Sequence, residues 1–149
     1  MEESIENQNL LAQVHSEFGG EKIDIKTYSP LTLAYIGDAI FEVIIRTLIV
    51  ERGQRAASVL HKHTTRIVCA QTQAKMIDAL HDYLTQEEQD VYRRGKNAKV
   101  SSPAKNASLS EYRKATGFEA LCGYLFLKKE TARIVQLIRQ ALEITQIEL

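Results

Sequence analysis

The chain of 149 residues has only two cysteines and no net charge, and each of these features excludes certain kinds of site. Cys69 and Cys122 suggest neither a disulfide framework nor a zinc site, and reduced thiols fit the cytosol. Nineteen basic residues are matched by nineteen acidic ones. Any binding to nucleic acid must therefore depend on local clusters of charge rather than on a basic chain as a whole.

We expect no targeting signal at the N-terminus of this sequence. The N-terminus reads Met-Glu-Glu-Ser and lacks a basic segment followed by an apolar one, so we expect no signal peptide and a cytoplasmic protein. The run Leu31–Val50 is long and apolar, and a membrane span is an alternative interpretation of it. Asp38, Glu42 and Arg46 recur in it every four residues, and ionisable groups are costly in lipid, which favours a helix of a water-soluble domain.

The apolar spacing is helical throughout and predicts an all-α protein, with no alternating pattern that would indicate a strand. Ser29-Pro30 marks the start of the first long helix, and Ser-x-x-Glu and Thr-x-x-Glu capping boxes open two others. We expect helices over residues 30–52, 57–83, 85–95 and 108–129 and a last one after Thr131, with Thr64-Thr65 as a break in the second.

The chain contains no internal repeat and no Gly/Ser linker, so one domain is expected over residues 29–149. We expect residues 1–28 to be a polar leader that is partly ordered, with one short amphipathic patch at Leu10–Val14. The segment from Gly95 to Asn106 is the one irregular stretch, and a structured loop of that length is usually functional.

Asp38 and Glu119 each lie on a mostly uncharged helix face. We expect Asp38 to be deeply buried, where a carboxylate is costly unless something pairs with it. If the two faces meet, the carboxylates form a hard-oxygen site that suits Mg²⁺, and metal-activated water attacking a phosphodiester is the chemistry that follows. The alternative is that both acids bond to backbone groups inside the bundle. Glu42 is expected to pair with Arg46 instead.

Basic residues are concentrated between Val91 and Ala115, where the one acid is Glu111. They are Arg93, Arg94, Lys96, Lys99, Lys105, Arg113 and Lys114. In a chain of zero net charge this cluster favours phosphate binding through side chains and loop amides. A solvated charged loop is the alternative.

Two motifs resemble a known family. The stretch Tyr35-Ile36-Gly37-Asp38-Ala39-Ile40-Phe41-Glu42 is similar to the signature helix of the ribonuclease III catalytic domain. Phe118-Glu119-Ala120-Leu121 with Gly123-Tyr124-Leu125 is similar to its second acidic motif. The resemblance covers about residues 29–145, and Arg93-Arg94-Gly95-Lys96-Asn97-Ala98-Lys99 resembles the short bacterial Mini-III branch.

The resemblance implies a ribonuclease III-like helical bundle that works as a homodimer, with a groove for double-stranded RNA across its two-fold axis. It implies magnesium-dependent cleavage to 5′-phosphate and 3′-hydroxyl ends, with Asp38 and Glu119 as the catalytic and metal-binding acids. It also implies a role in maturing the large-subunit (23S) ribosomal RNA precursor, with a ribosomal protein or the ribosome as a further contact. For RNA binding we expect Arg94, Lys96, Asn97, Lys99 and Lys105.

The sequence departs from full-length ribonuclease III at several acidic positions. Ala34, Thr116 and, with a less certain alignment, Gln71 stand where acids are expected, as in the Mini-III branch. No C-terminal double-stranded RNA-binding domain is expected. The reduced acid set leaves a second hypothesis open, a non-catalytic RNA-binding or ribosome-associated module that kept the fold.

Overall fold

A computed structural model describes residues 9–20, 23–99 and 108–149. In these ranges the chain forms α-helices, two short 3₁₀ turns and no strand, which confirms the all-α prediction. The helices are α1 (Leu10–Phe18), α2 (Pro30–Glu51), α3 (Ala57–Val68), α4 (Ala70–Leu80), α5 (Gln86–Lys96), α6 (Leu109–Leu127) and α7 (Thr131–Thr145). None of these helices is long and apolar enough to cross a membrane.

Local capping explains where three of the helices begin. The Ser29 hydroxyl accepts a hydrogen bond of 3.1 Å from the Thr32 N–H at the start of α2. Reciprocal capping boxes open α5, between Thr85 and Glu88, and α6, between Ser108 and Glu111. These contacts satisfy N–H groups that have no partner within the helix, and they confirm the predicted starts.

The predicted break at Thr64-Thr65 is wrong. Both threonine hydroxyls donate to the carbonyl four residues earlier, at 2.9 Å, and the helix continues through them. The interruption comes at Cys69, whose extended backbone (ψ 158°) ends α3 and precedes α4. At this break the Thr72 hydroxyl donates to the Arg66 carbonyl at 2.9 Å, which satisfies an acceptor at the end of α3.

Helix α6 occupies the centre of the bundle. Every residue from Ala115 to Phe126 except Glu119 is buried, and α6 packs against α2, α4, α5 and α7. Helix α2 buries one face only, formed by Leu33, Ala34, Gly37, Phe41, Ile45 and Ile49. Several apolar side chains of α2 therefore lie on the surface.

Two glycines allow α2 and α6 to touch through their backbones. A Cβ added to Gly37 would overlap the backbone carbonyl of Glu119, and one added to Gly123 would overlap the carbonyl of Leu33. One turn further along, the Phe41 and Phe118 rings pack edge to face with centroids 5.3 Å apart. This close crossing fixes the positions of the residues beside the glycines.

Candidate active site

The crossing of α2 and α6 brings Asp38 and Glu119 together, although they are far apart in the sequence. Asp38 follows Gly37 on α2, and the Gly37 backbone lies on the Glu119 carbonyl. Their carboxyl groups interact, and both side chains line a small open cleft. The cleft is lined by Leu31, Ala34, Tyr35, Asp38, Tyr112, Thr116 and Glu119.

The carboxyl of Glu119 has an abnormal proton affinity. Burial, followed by the hydrogen bond and the negative charge of Asp38, raises its pKa to about 9. Two carboxylates in contact cannot both carry a charge at low cost, so they share a proton or a cation. The pair therefore favours the binding of a positive ion.

Asp38 itself is exposed, so the expectation that it lies deep in the core is wrong. Successive residues of a helix point about 100° apart, and α2 turns Gly37, not Asp38, towards α6. The Asp38 side chain therefore lies at the edge of the crossing, open to solvent on one side. A ligand from solution can reach it without any opening of the fold.

The positions expected to carry further acids do line the cleft. Ala34 and Thr116 are both buried there, and the Thr116 hydroxyl donates to the Tyr112 carbonyl at 3.0 Å. Within the described residues, no cluster of three or more His, Cys, Asp or Glu side chains has the geometry of a metal site. Asp38 and Glu119 are therefore the carboxylates that this cleft offers.

Sequence reasoning placed Gln71 at the position of a further family acid and missed Gln73. Gln71 lies on the exposed side of α4, whereas Gln73 is buried at 2% exposure. The Gln73 side chain neighbours the Glu119 carboxyl and lowers its pKa, opposing part of the effect of burial. Gln73 lies three and four residues before the apolar Met76 and Ile77, and this helical spacing indicated a polar group facing the core.

The basic segment begins close to this cleft. Helix α5 ends where Gly95 packs against Gly117 and Ala120, within one turn of Glu119. Two of the basic residues have acidic partners, Arg93 with Asp90 and Lys114 with Asp78, each at 2.9 Å.

The remaining basic residues differ in exposure. Arg94, Lys99 and Arg113 are exposed, Lys96 is half-buried, and Asn97 caps α5. None of these four cations forms an ion pair with a described residue. Lys105 lies outside the described residues. The expected pair of Glu42 with Arg46 is present at 3.2 Å.

Comparison with known proteins identifies the family. A model of the ribonuclease III domain matches residues 31–130. A Mini-ribonuclease 3 of Clostridium tetani is 44% identical over 119 residues, which cover 79% of each chain. The chain belongs to the Mini-ribonuclease 3 family. A family member of Enterococcus faecalis is 46% identical over 117 residues, covering 77% of this chain and 89% of the relative.

The fold agrees with this membership. A crystal structure of a Fusobacterium nucleatum protein superposes with a TM-score of 0.75 at 30% identity, covering 82% of this chain and 99% of that one. The protein is therefore an endoribonuclease of the ribonuclease III type, a class that acts on double-stranded RNA. The ribonuclease III family generally depends on a divalent metal ion.

Proposed function

We propose that this protein is a magnesium-dependent endoribonuclease in which Asp38 and Glu119 hold the metal ion and the substrate is a double-stranded ribosomal RNA precursor. The contact between these two carboxyls at an open cleft is the observation that carries the proposal. Two surface acids that met by chance would separate, because like charges repel in water and side chains are free to rotate. Here the backbone contact at Gly37 keeps them together.

The donor set fits magnesium better than softer metals. Mg²⁺ prefers hard oxygen ligands and retains several waters, so one or two carboxylates and a substrate phosphate are enough. A bound Mg²⁺ would supply charge neutralisation and an activated water for attack on the phosphodiester. Hydrolysis adds water across the P–O3′ bond, leaving a 5′-phosphate and a 3′-hydroxyl.

The chain's own residues then have separate tasks. Asp38, exposed at the rim, and Glu119, half-buried at the base of the cleft, provide oxygen ligands. The face of α6 that carries Tyr112 and Thr116 leads from Glu119 to the start of the helix, about 15 Å away at 1.5 Å per residue. The basic residues Arg113 and Lys114 lie on this half of α6, so a phosphate chain bound along it meets both basic side chains and the carboxylates.

The exposed apolar face of α2 supports a homodimer. Tyr35 is 82% exposed, Val43 56% and Val50 59%, and Leu31 extends the same helical face. Glu42 and Arg46 lie on the same side of the helix, so the face is mixed, and large apolar side chains exposed in this number are typical of a surface covered by a partner. A two-fold symmetric dimer also suits a duplex with antiparallel strands, because each subunit then faces one strand in the same way.

Shape rather than base sequence is expected to guide binding, since double-stranded RNA presents mainly phosphates and 2′-hydroxyls. A ribosomal RNA precursor has extended duplex stems of this kind, and a ribosomal protein bound to it would supply the selectivity that the cleft lacks. The free cysteines, Cys122 buried and Cys69 half-buried, fit a cytoplasmic location.

The test compares wild type, Asp38→Asn and Glu119→Gln on an end-labelled duplex from the large-subunit ribosomal RNA precursor, with Mg²⁺ or with a chelator. We expect cleavage by wild type with Mg²⁺ alone, and loss of cleavage without loss of RNA binding in both variants. Glu42→Gln is the matched control, because this acid on α2 pairs with Arg46 at the surface. Cleavage by Asp38→Asn at the wild-type rate would refute the assignment, and binding without any cleavage would favour a non-catalytic module.

A further inference from the structure

Gln73 is a polar residue in a position that suits an apolar one. It lies on α4 among the buried residues Ala74, Met76 and Ile77, and only 2% of it is exposed. Its Nε2 has no hydrogen-bond partner of normal distance and angle among the described residues. Buried donors without a partner are rare in folded proteins and weaken them, so a retained one calls for a reason.

The position of this amide supplies the reason. The Gln73 side chain neighbours the Glu119 carboxyl and stabilises its charged form. The two elements on either side of Glu119 thus have opposite roles, since Asp38 on α2 repels the charge and Gln73 on α4 attracts it. The amide Nε2 is thus a buried donor next to the Glu119 carboxyl that forms no hydrogen bond of normal geometry with any described residue.

We propose that Gln73 is a positioning residue, which donates to the Glu119 carboxylate and holds it in the orientation that binds the divalent cation. This inference rests on the proposed function of Asp38 and Glu119. A ligating carboxylate with one oxygen held by a donor from the protein loses less rotational freedom when the cation binds, and such supporting contacts strongly affect metal affinity. With Ala34 and Thr116 in place of acids, the cleft depends more on the orientation of each carboxylate that remains.

A purely structural role makes the opposite prediction about stability. If Gln73 only packs the core, its replacement lowers the melting temperature and leaves cation binding unchanged. If it is retained for Glu119, removal of the unpaired donor leaves the metal-free melting temperature unchanged or raises it, while cation binding weakens. Gln73→Met separates these cases, because methionine keeps the length of the side chain and lacks the amide.

The experiment uses the full chain and measures Mg²⁺ affinity by titration calorimetry, the Mg²⁺ concentration for half-maximal cleavage, and the melting temperature in chelator. For Gln73→Met we expect affinity to fall about tenfold, within the range usual for residues that support metal ligands. Cleavage should approach the wild-type rate at high Mg²⁺. Met76→Leu, at a fully buried side chain of the same helix, should change neither Mg²⁺ value.

Asp38→Asn distinguishes failure of this inference from failure of the proposed function. If Asp38→Asn abolishes Mg²⁺ binding and Gln73→Met binds Mg²⁺ as tightly as wild type, the metal site stands and the role of Gln73 is refuted. If Asp38→Asn binds Mg²⁺ and cleaves normally, the proposed site is wrong. A Gln73→Met variant that melts at a lower temperature with unchanged Mg²⁺ affinity would show a packing role only.

Discussion

Gly37 on α2 lies directly against the backbone carbonyl of Glu119 on α6, with no room for a side chain between them. The contact places Asp38, the next residue on α2, beside the Glu119 carboxyl. Gly123, one turn further along α6, makes the equivalent contact with Leu33. The active-site geometry is therefore set by backbone approach and not by the carboxyl groups, which repel each other.

Gly37→Ala is expected to damage both stability and cleavage. The added methyl group overlaps the Glu119 carbonyl and must push α2 away from α6. Overpacking of this kind costs roughly 1–3 kcal/mol in the free energy of unfolding, and a displacement of about 1 Å lowers activity about 100-fold. Urea unfolding and cleavage assays measure the two effects. The control Ala132→Ser adds one atom at an exposed position, and a Gly37→Ala protein as stable and active as this control would contradict the prediction.

The metal-free protein should lose stability as the pH rises from about 5 to 9. The pKa of Glu119 is about 9 in the folded state, against an ordinary value of 4.5. In this window the folded state holds a proton that the unfolded state has released, so a rise in pH favours unfolding. Thermal unfolding in chelator at a series of pH values tests this, and Glu119→Gln should show a shallower decline than wild type. Parallel curves for the two proteins would show that Glu119 does not titrate in this range.

Arg133→Ala should destabilise the protein far more than Arg139→Ala. Arg133 makes two contacts of 2.8 Å with Glu88, which is 4% exposed, and a third with the Tyr83 carbonyl. Its removal leaves a buried charge unpaired, at a cost of about 3–5 kcal/mol. Arg139 is 80% exposed in its pair with Glu143, and such pairs contribute about 0–1 kcal/mol. Equal urea midpoints for the two variants would contradict the prediction that Arg133 contributes more stability than Arg139.

Lys96→Ala combined with Lys99→Ala should weaken RNA binding and flatten its dependence on salt. Both cations lack an ion pair with a described residue and flank the end of α5 near the cleft. Each lost phosphate contact lowers the slope of log K against log salt by about one. Binding titrations on one duplex at several salt concentrations measure this. The control, Lys128→Ala with Lys129→Ala at the opposite end of α6, should keep the wild-type slope. An unchanged slope in the test variant would show that Lys96 and Lys99 do not contact RNA phosphates.

Val43→Arg should convert a dimer into monomers. Val43 is 56% exposed on the apolar face of α2, and a charge introduced on both copies at a two-fold interface is repeated and unpaired. Light scattering after size exclusion should show wild type at twice the chain mass of 16.9 kDa and the variant at that mass. Ile144→Arg changes an exposed apolar residue of a different helix, α7, and should remain dimeric. A monomeric wild type would refute the dimer.

Local signals predicted much of the fold. Capping boxes at Thr85 and Ser108 and the Ser29-Pro30 start depend on contacts within one turn, so they are readable from neighbouring residues. The break at Cys69 was missed because threonines that bond their own helix resemble helix breakers in sequence. The predicted burial of Asp38 failed for a related reason: the apolar residues around it face either α6 or the solvent.

By itself, the sequence determined the helical elements, the zero net charge with its basic segment, and the two acidic motifs that carry the family resemblance. All of these depend on residue type and on spacing along the chain. Only the tertiary structure decided that Asp38 is exposed, that its carboxyl contacts Glu119, and that Gln73 rather than Gln71 lies beside them. These relations arise where helices distant in sequence cross, and the crossing depends on the backbone contact that Gly37 and Gly123 permit.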